Sequence, residues 1–212
     1  MLDPAAAAKP DCVWIPTGEL SSKVRDFGKY PNVSDWLAGD VLLVASMQPD
    51  WVARAIVKVQ SKQYGSAHGR WQHAAIYMGN GFVAEATTHG VMYSAIEKYI
   101  GDHYLQLRRN PVLTSDQRWL VAIEAGVRLR TAYKYLDILQ IYRSSFPSLK
   151  RQMNPRVMVQ TNSVICSQLC QEAHARVTGQ LIVPFASTAA VPAALSQTSK
   201  LNDVSLHWCS IG

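Results

Sequence analysis

The sequence predicts an α+β fold, a central antiparallel sheet packed against helices. Three features predict it. Trp71–Met78 and Phe82–Thr87 flank a Gly79-Asn80-Gly81 turn and form the strongest hairpin signal in the chain. Asp40–Ser46 is a short apolar run bounded by turn formers, as a buried strand is. After Pro111 the apolar residues recur at helical rather than strand spacing.

Residues 1–38 are rich in Pro, Ser, Asp and Lys and have no clear period, so they read as a flank packing on a domain of residues 39–212. The strand at Asp40–Ser46 is followed by Trp51–Gln60, where Val52, Ala55, Ile56 and Val59 fall on one helical face. Beyond the hairpin, Val91–Ile96 and Tyr104–Arg109 continue the sheet. Thr114 or Ser115 caps a helix reaching about Thr131, and Tyr135–Tyr142 predicts another. Ser144–Gln160, with its prolines and basic residues, reads as a loop. Asn162 or Ser163 caps a helix through Val177 that Gly179 closes. A short helix near Val191–Leu195 and a strand near Val204–Trp208 complete the chain.

Composition narrows the possibilities. The 212 residues are 48% hydrophobic and 17% charged, which suits one globular domain and argues against disorder. The formal charge is +6, and between Gly126 and Ser163 seven Lys or Arg face one acid, Asp137. Such a run is either a solvated face or a surface for anionic polymers. No zinc-finger spacing, RNA-binding sheet motif or phosphate loop accompanies it, so nucleic acid is not expected. The Met1–Lys9 segment lacks a signal-peptide pattern, and no integral membrane segment is expected.

Cys12, Cys166, Cys170 and Cys209 are too sparse for a disulfide framework. Reduced thiols are expected, with a Cys12–Cys209 bridge between the two ends left open. Cys166, Cys170 and His174 share one helical stripe, yet structural zinc takes ligands from more than one segment and no second cluster exists. Neither metal nor cofactor is expected. His68, His89, His103 and His207 have no partner pattern, and Trp71, Tyr77, Tyr133, Tyr135 and Tyr142 read as core.

One constellation carries chemistry. Cys166 lies near the start of its helix, where the dipole favours a thiolate. His73 lies on a strand whose hairpin partner brings in Glu85, an acid in an otherwise apolar run that needs a partner. A base oriented by a third polar group is the logic of a triad. A two-residue Asn80-Gly81 turn alone would put Glu85 on the face opposite His73. A three-residue loop pairs Ala75 with Glu85 and leaves Glu85 diagonal to His73 on one face. The triad therefore requires an odd-length loop.

The order of short motifs carries a resemblance. Gly39-Asp40-Val41-Leu42, then His73-Ala74-Ala75-Ile76-Tyr77-Met78-Gly79, then Val83-Ala84-Glu85-Ala86 with Gly90-Val91, and last Ile165-Cys166-Ser167-Gln168-Leu169 resembles the circularly permuted papain-like cysteine amidases. These belong to the NlpC-type peptidase superfamily and are related to lecithin:retinol acyltransferase-like proteins. The resemblance covers roughly Gly39 to Leu195 and implies a permuted papain-like fold. It also implies Cys166 as nucleophile, His73 as general base and Glu85 as the residue orienting the imidazole, with the Cys166 N–H as one oxyanion donor. Relatives often carry Glu after the Cys-Ser pair, where Gln168 stands here.

Three classes of function follow. The first is an amidase or endopeptidase acting on bacterial peptidoglycan, an anionic cell-wall polymer that suits the basic charge. The second is a lipid acyltransferase or thioesterase using the same Cys-His site. The third is a non-catalytic binding module. A wall amidase without an export signal would be either an antibacterial effector toxin or a phage-type lysin. For the effector, made in the bacterial cytoplasm and delivered to a rival's periplasm by a non-classical secretion system, an immunity protein and secretion machinery are the expected partners.

Overall fold

A computed structural model describes residues 1–10, 18–87, 90–128, 162–184 and 190–211, with the backbone alone at Val52 and at 162–165. The predicted helix over Tyr135–Tyr142, the loop over Ser144–Gln160, and Cys12, His89 and Tyr133 lie outside the described residues.

The chain is mixed α+β. Its six-stranded antiparallel sheet comprises β3 (Val41–Ser46), β4 (His73–Gly79), β5 (Phe82–Thr87), β6 (Gly90–Ala95), β7 (His103–Arg109) and β8 (Asn202–Asp203), in the order β6-β5-β4-β3-β7-β8. Helices α2 (Trp51–Gly69), α3 (Ser115–Gly126), α4 (Asn162–Thr178) and α5 (Pro192–Gln197) accompany it. The flank supplies β1 (Ala8–Lys9), α1 (Ser22–Phe27) and β2 (Lys29–Pro31), and β9 (Trp208–Ser210) joins β1 and β2 in a small second sheet.

Alternation along β3 explains two cores. Val41, Leu43 and Ala45 face one side, where they meet Val121 and Ala125 of α3, Leu169 and Ala173 of α4 and Leu195 of α5. Leu42 and Val44 face the other, against Leu2, Val24, Tyr30, Val33 and Trp36 of the flank. A strand covered on both faces is an unbroken apolar run. The flank is thus tied to the sheet by side chains and by main chain where Leu2 bridges Leu105 of β7, while Ala8 pairs with Trp208 within the second sheet. Its elements are too short for periodicity to reveal. The expected strand over Val204–Trp208 is instead split, with β8 before it and β9 beginning at its last residue.

Helix ends follow local chemistry. Thr114 and Gln117 form a reciprocal capping box at α3. Gly179, at φ +70°, closes α4 with its N–H on the Ala175 carbonyl at 2.8 Å. The α2 helix runs beyond Gln60 to Gly69, interrupted where Gly65 adopts φ +75°. At the head of β3, buried Asp40 accepts from Arg109 at 2.6 Å and meets Arg118 at 3.5 Å, joining β3, β7 and α3. Among the described residues no helix is long and apolar enough to cross a membrane.

Candidate active site

The β4–β5 hairpin decides whether Glu85 reaches His73. Its tip is a two-residue Asn80-Gly81 turn with φ of 52° and 78°, the left-handed pair of a type I′ hairpin. Gly79 pairs with Phe82, but the next pair is Tyr77 with Val83, so Met78 is an extra residue on β4. The loop is thus two residues long and not odd as expected; the β-bulge on β4 supplies the one-residue offset instead, and Ala75 pairs with Glu85. The Tyr77 hydroxyl accepts from the Gly81 N–H at 3.0 Å, bracing the turn.

The structure brings the three predicted site residues together. His73 Nε2 and Glu85 Oε2 are 2.8 Å apart. The His73 ring also hydrogen-bonds the Cys166 thiol, and with Nε2 committed to Glu85, Nδ1 is the nitrogen left for it. The Ala74 N–H donates to Cys166 Sγ at 3.3 Å, so the sulfur sits beside the first residues of β4. Cys166 and Glu85 are buried, and the His73 side chain keeps 15% of its surface exposed. Cys166 is the fifth residue of α4, where the helical ladder of N–H bonds begins. The main-chain amide placed on the sulfur is therefore that of Ala74, which the motifs did not single out.

Glu85 has further partners that sequence reasoning missed. Lys98, the Tyr99 hydroxyl and Ser94 all hydrogen-bond its carboxylate. Ser94 was accessible to a register argument, since it pairs with Val83 on β6 and so shares Glu85's face. Lys98 and Tyr99 lie in a 3₁₀ turn over Ile96–Tyr99 and carry no periodic signal. Burial pushes the Glu85 carboxyl up, but the His73 bond and charge and the Lys98 and Ser94 bonds outweigh it and hold it well below the usual carboxylate range. Burial pushes the His73 imidazole down; the charge and hydrogen bond of the Cys166 sulfur, with those of Glu85, overcome it and raise it to about 9. The arrangement holds a protonated imidazole between a carboxylate and a sulfur.

The remaining histidines do other work. His68 Nδ1 meets the Ser196 hydroxyl at 3.0 Å, His103 Nδ1 meets Asp102 at 2.7 Å, and His207 Nε2 meets the Asn32 amide at 3.0 Å. Cys166 and Cys170 are in no disulfide, whereas Cys209 is disulfide-bonded, against the expectation of reduced thiols throughout. Cys170 and His174 are fully buried below Cys166, and no metal-holding cluster of His, Cys, Asp or Glu occurs among the described residues.

His174 is an acid-sensitive group of this helix. Its Nδ1 donates to the Cys170 carbonyl at 2.9 Å, while the buried Nε2 has no hydrogen-bond partner among the described residues. Burial lowers its pKa from 6.5 to about 4. The folded chain therefore binds this proton less readily than the unfolded chain does. The neutral ring's contribution is complete above about pH 6.5 and is lost as pH falls towards 4, by about 3 kcal/mol. Urea unfolding of wild type and His174→Phe at pH 7 and pH 4.5 checks it. The wild type should lose more stability on acidification than the variant, and equal losses would exclude His174 as the cause.

No protein-family model matches the chain, and no curated protein or solved structure matches it either.

Proposed function

We propose that the chain is a cysteine hydrolase of the circularly permuted papain-like kind, cleaving amide bonds in the peptides of bacterial peptidoglycan. The observation that carries this reading is the continuous contact from Cys166 through His73 to Glu85. The strand-first, helix-last order of the His and Cys motifs supports the permuted fold. The +6 charge suits an anionic polymer.

In this mechanism the protonated His73 carries its proton at Nδ1, facing Sγ, as Sγ attacks the carbonyl carbon of the scissile amide. The C–N bond breaks as His73 returns that proton to the leaving nitrogen, and a thioester to Cys166 remains. Water, deprotonated by His73, then attacks the thioester and the thiol is released with the new carboxylic acid. Glu85 holds the ring through Nε2 and stabilises its charge. The Ala74 N–H steadies negative charge on the sulfur.

Digestion of purified peptidoglycan, with soluble products read by mass spectrometry, tests the assignment. Peptide fragments that each gain one water per cut are expected, and their masses name the bond. Intact wall after exhaustive digestion would overturn peptidoglycan as substrate and shift the assignment towards acyl chemistry on lipids.

A further inference from the structure

The two oxygens of buried Glu85 are held differently. Oε1 takes the Lys98 ammonium, while Oε2 takes both the His73 Nε2–H and the Tyr99 hydroxyl. Ser94 adds a further bond to the carboxylate. With a donor fixed on each oxygen, the carboxylate is not free to turn about its last side-chain bond. The direction of its bond to His73 is therefore set by its other partners.

Tyr99 is the partner that shares an oxygen with the imidazole. It is the last residue of the 3₁₀ turn and is buried. Burial, with the Glu85 charge, pushes its hydroxyl well above the ordinary tyrosine range, so it stays a neutral donor to the carboxylate. Its ring meets the His103 ring edge to face, centroids 5.4 Å apart, and lies under the Lys98 ammonium at 4.8 Å. Phenylalanine would keep both contacts and lose only the hydroxyl. Among the described residues, the other charged and titratable groups around His73 are Cys166 of α4, Glu85 of β5, Lys98 of the turn and His103 of β7. His103 pairs with Asp102, which Lys23 of α1 also meets. Tyr99→Phe removes none of these groups.

A donor on a carboxylate oxygen fixes that oxygen in space and draws its negative charge away from other partners. We propose that Tyr99 is a positioning residue acting through Glu85, aiming the His73 ring at Cys166 and tempering the charge that Oε2 presents to it. Without the hydroxyl, Oε2 is freer to move and more basic. The imidazole then holds its proton more tightly and faces the sulfur less often. The effect on the imidazole stands without the amidase reading; the effect on turnover rests on it.

NMR titration of the His73 ring protons in the full chain tests this, in the wild type and in Tyr99→Phe, with thermal unfolding to show that the variant is folded. The wild-type midpoint is expected near 9. That of the variant should lie higher by about 0.5. In a Glu85→Gln background the same substitution should leave the midpoint unmoved, since the carboxylate that transmits it is gone. On soluble peptidoglycan peptides, Tyr99→Phe should lower kcat about tenfold with KM unchanged. A midpoint that stays or falls in folded Tyr99→Phe, or that rises equally without Glu85, would overturn the proposal. A raised midpoint beside an uncut wall would uphold Tyr99 and count against the amidase; cleavage with an unmoved midpoint would do the reverse.

Discussion

If the proposed amidase reading holds, Cys166→Ala should leave peptidoglycan uncut, its rate falling by about 10⁴-fold or more, because the sulfur beside His73 is gone. The variant still folds. The substitution removes one buried atom from a core that also holds Leu169, Cys170 and Ala173. The cost should be about 1 kcal/mol, comparable with deleting a buried methyl group. Cleavage rates and thermal unfolding of the same preparation separate the two effects. A folded Cys166→Ala that cuts at the wild-type rate would remove Cys166 as the nucleophile.

Glu85→Gln has the second-largest effect, and its signature is a pH profile. In the wild type His73 titrates near 9, so the alkaline limb of activity should lie there. Glutamine retains the shape and removes the charge that helps to hold the imidazolium proton. The limb then moves towards lower pH, and the maximal rate falls by about 10²-fold or more. Stability shifts in the same sense. A histidine raised above its unfolded pKa of 6.5 contributes fully below 6.5, and the contribution is lost as pH rises through about 9. The substitution removes the share of that benefit that Glu85 adds to the larger one of the Cys166 sulfur, and also deprives Lys98 of its anionic partner. Rate profiles between pH 6 and 10 for both proteins check this, and an unmoved alkaline limb would show that Glu85 does not govern the His73 charge.

How much of this was legible in the sequence depended on local signals. Thr114, Gln117 and Gly179 marked helix ends because caps satisfy main-chain groups within a few residues. The hairpin was visible in its Gly79-Asn80-Gly81 turn, and parity showed that Glu85 needs an odd count, which a three-residue loop would supply. How that count is met was not legible: an extra residue at Met78 has no compositional mark. The flank gave no period because its strands span two or three residues. Lys98 and Tyr99 were missed for a related reason, since a 3₁₀ turn reaches Glu85 through tertiary folding rather than repeat spacing. A cavity lined by Trp36, Asn80 and Trp119, among others, escaped entirely, because those residues come from distant parts of the chain.

The Met78 bulge makes the hairpin a counting device. Side chains there tolerate exchange so long as the tally between His73 and Glu85 is kept, since twelve positions separate them along the chain. Deleting or adding one residue at the tip would invert the phase of β5, turning Glu85 into the opposite core and Ala84 towards the imidazole. Related chains that kept the chemistry would thus be free to vary in spelling between these two residues, but constrained in length.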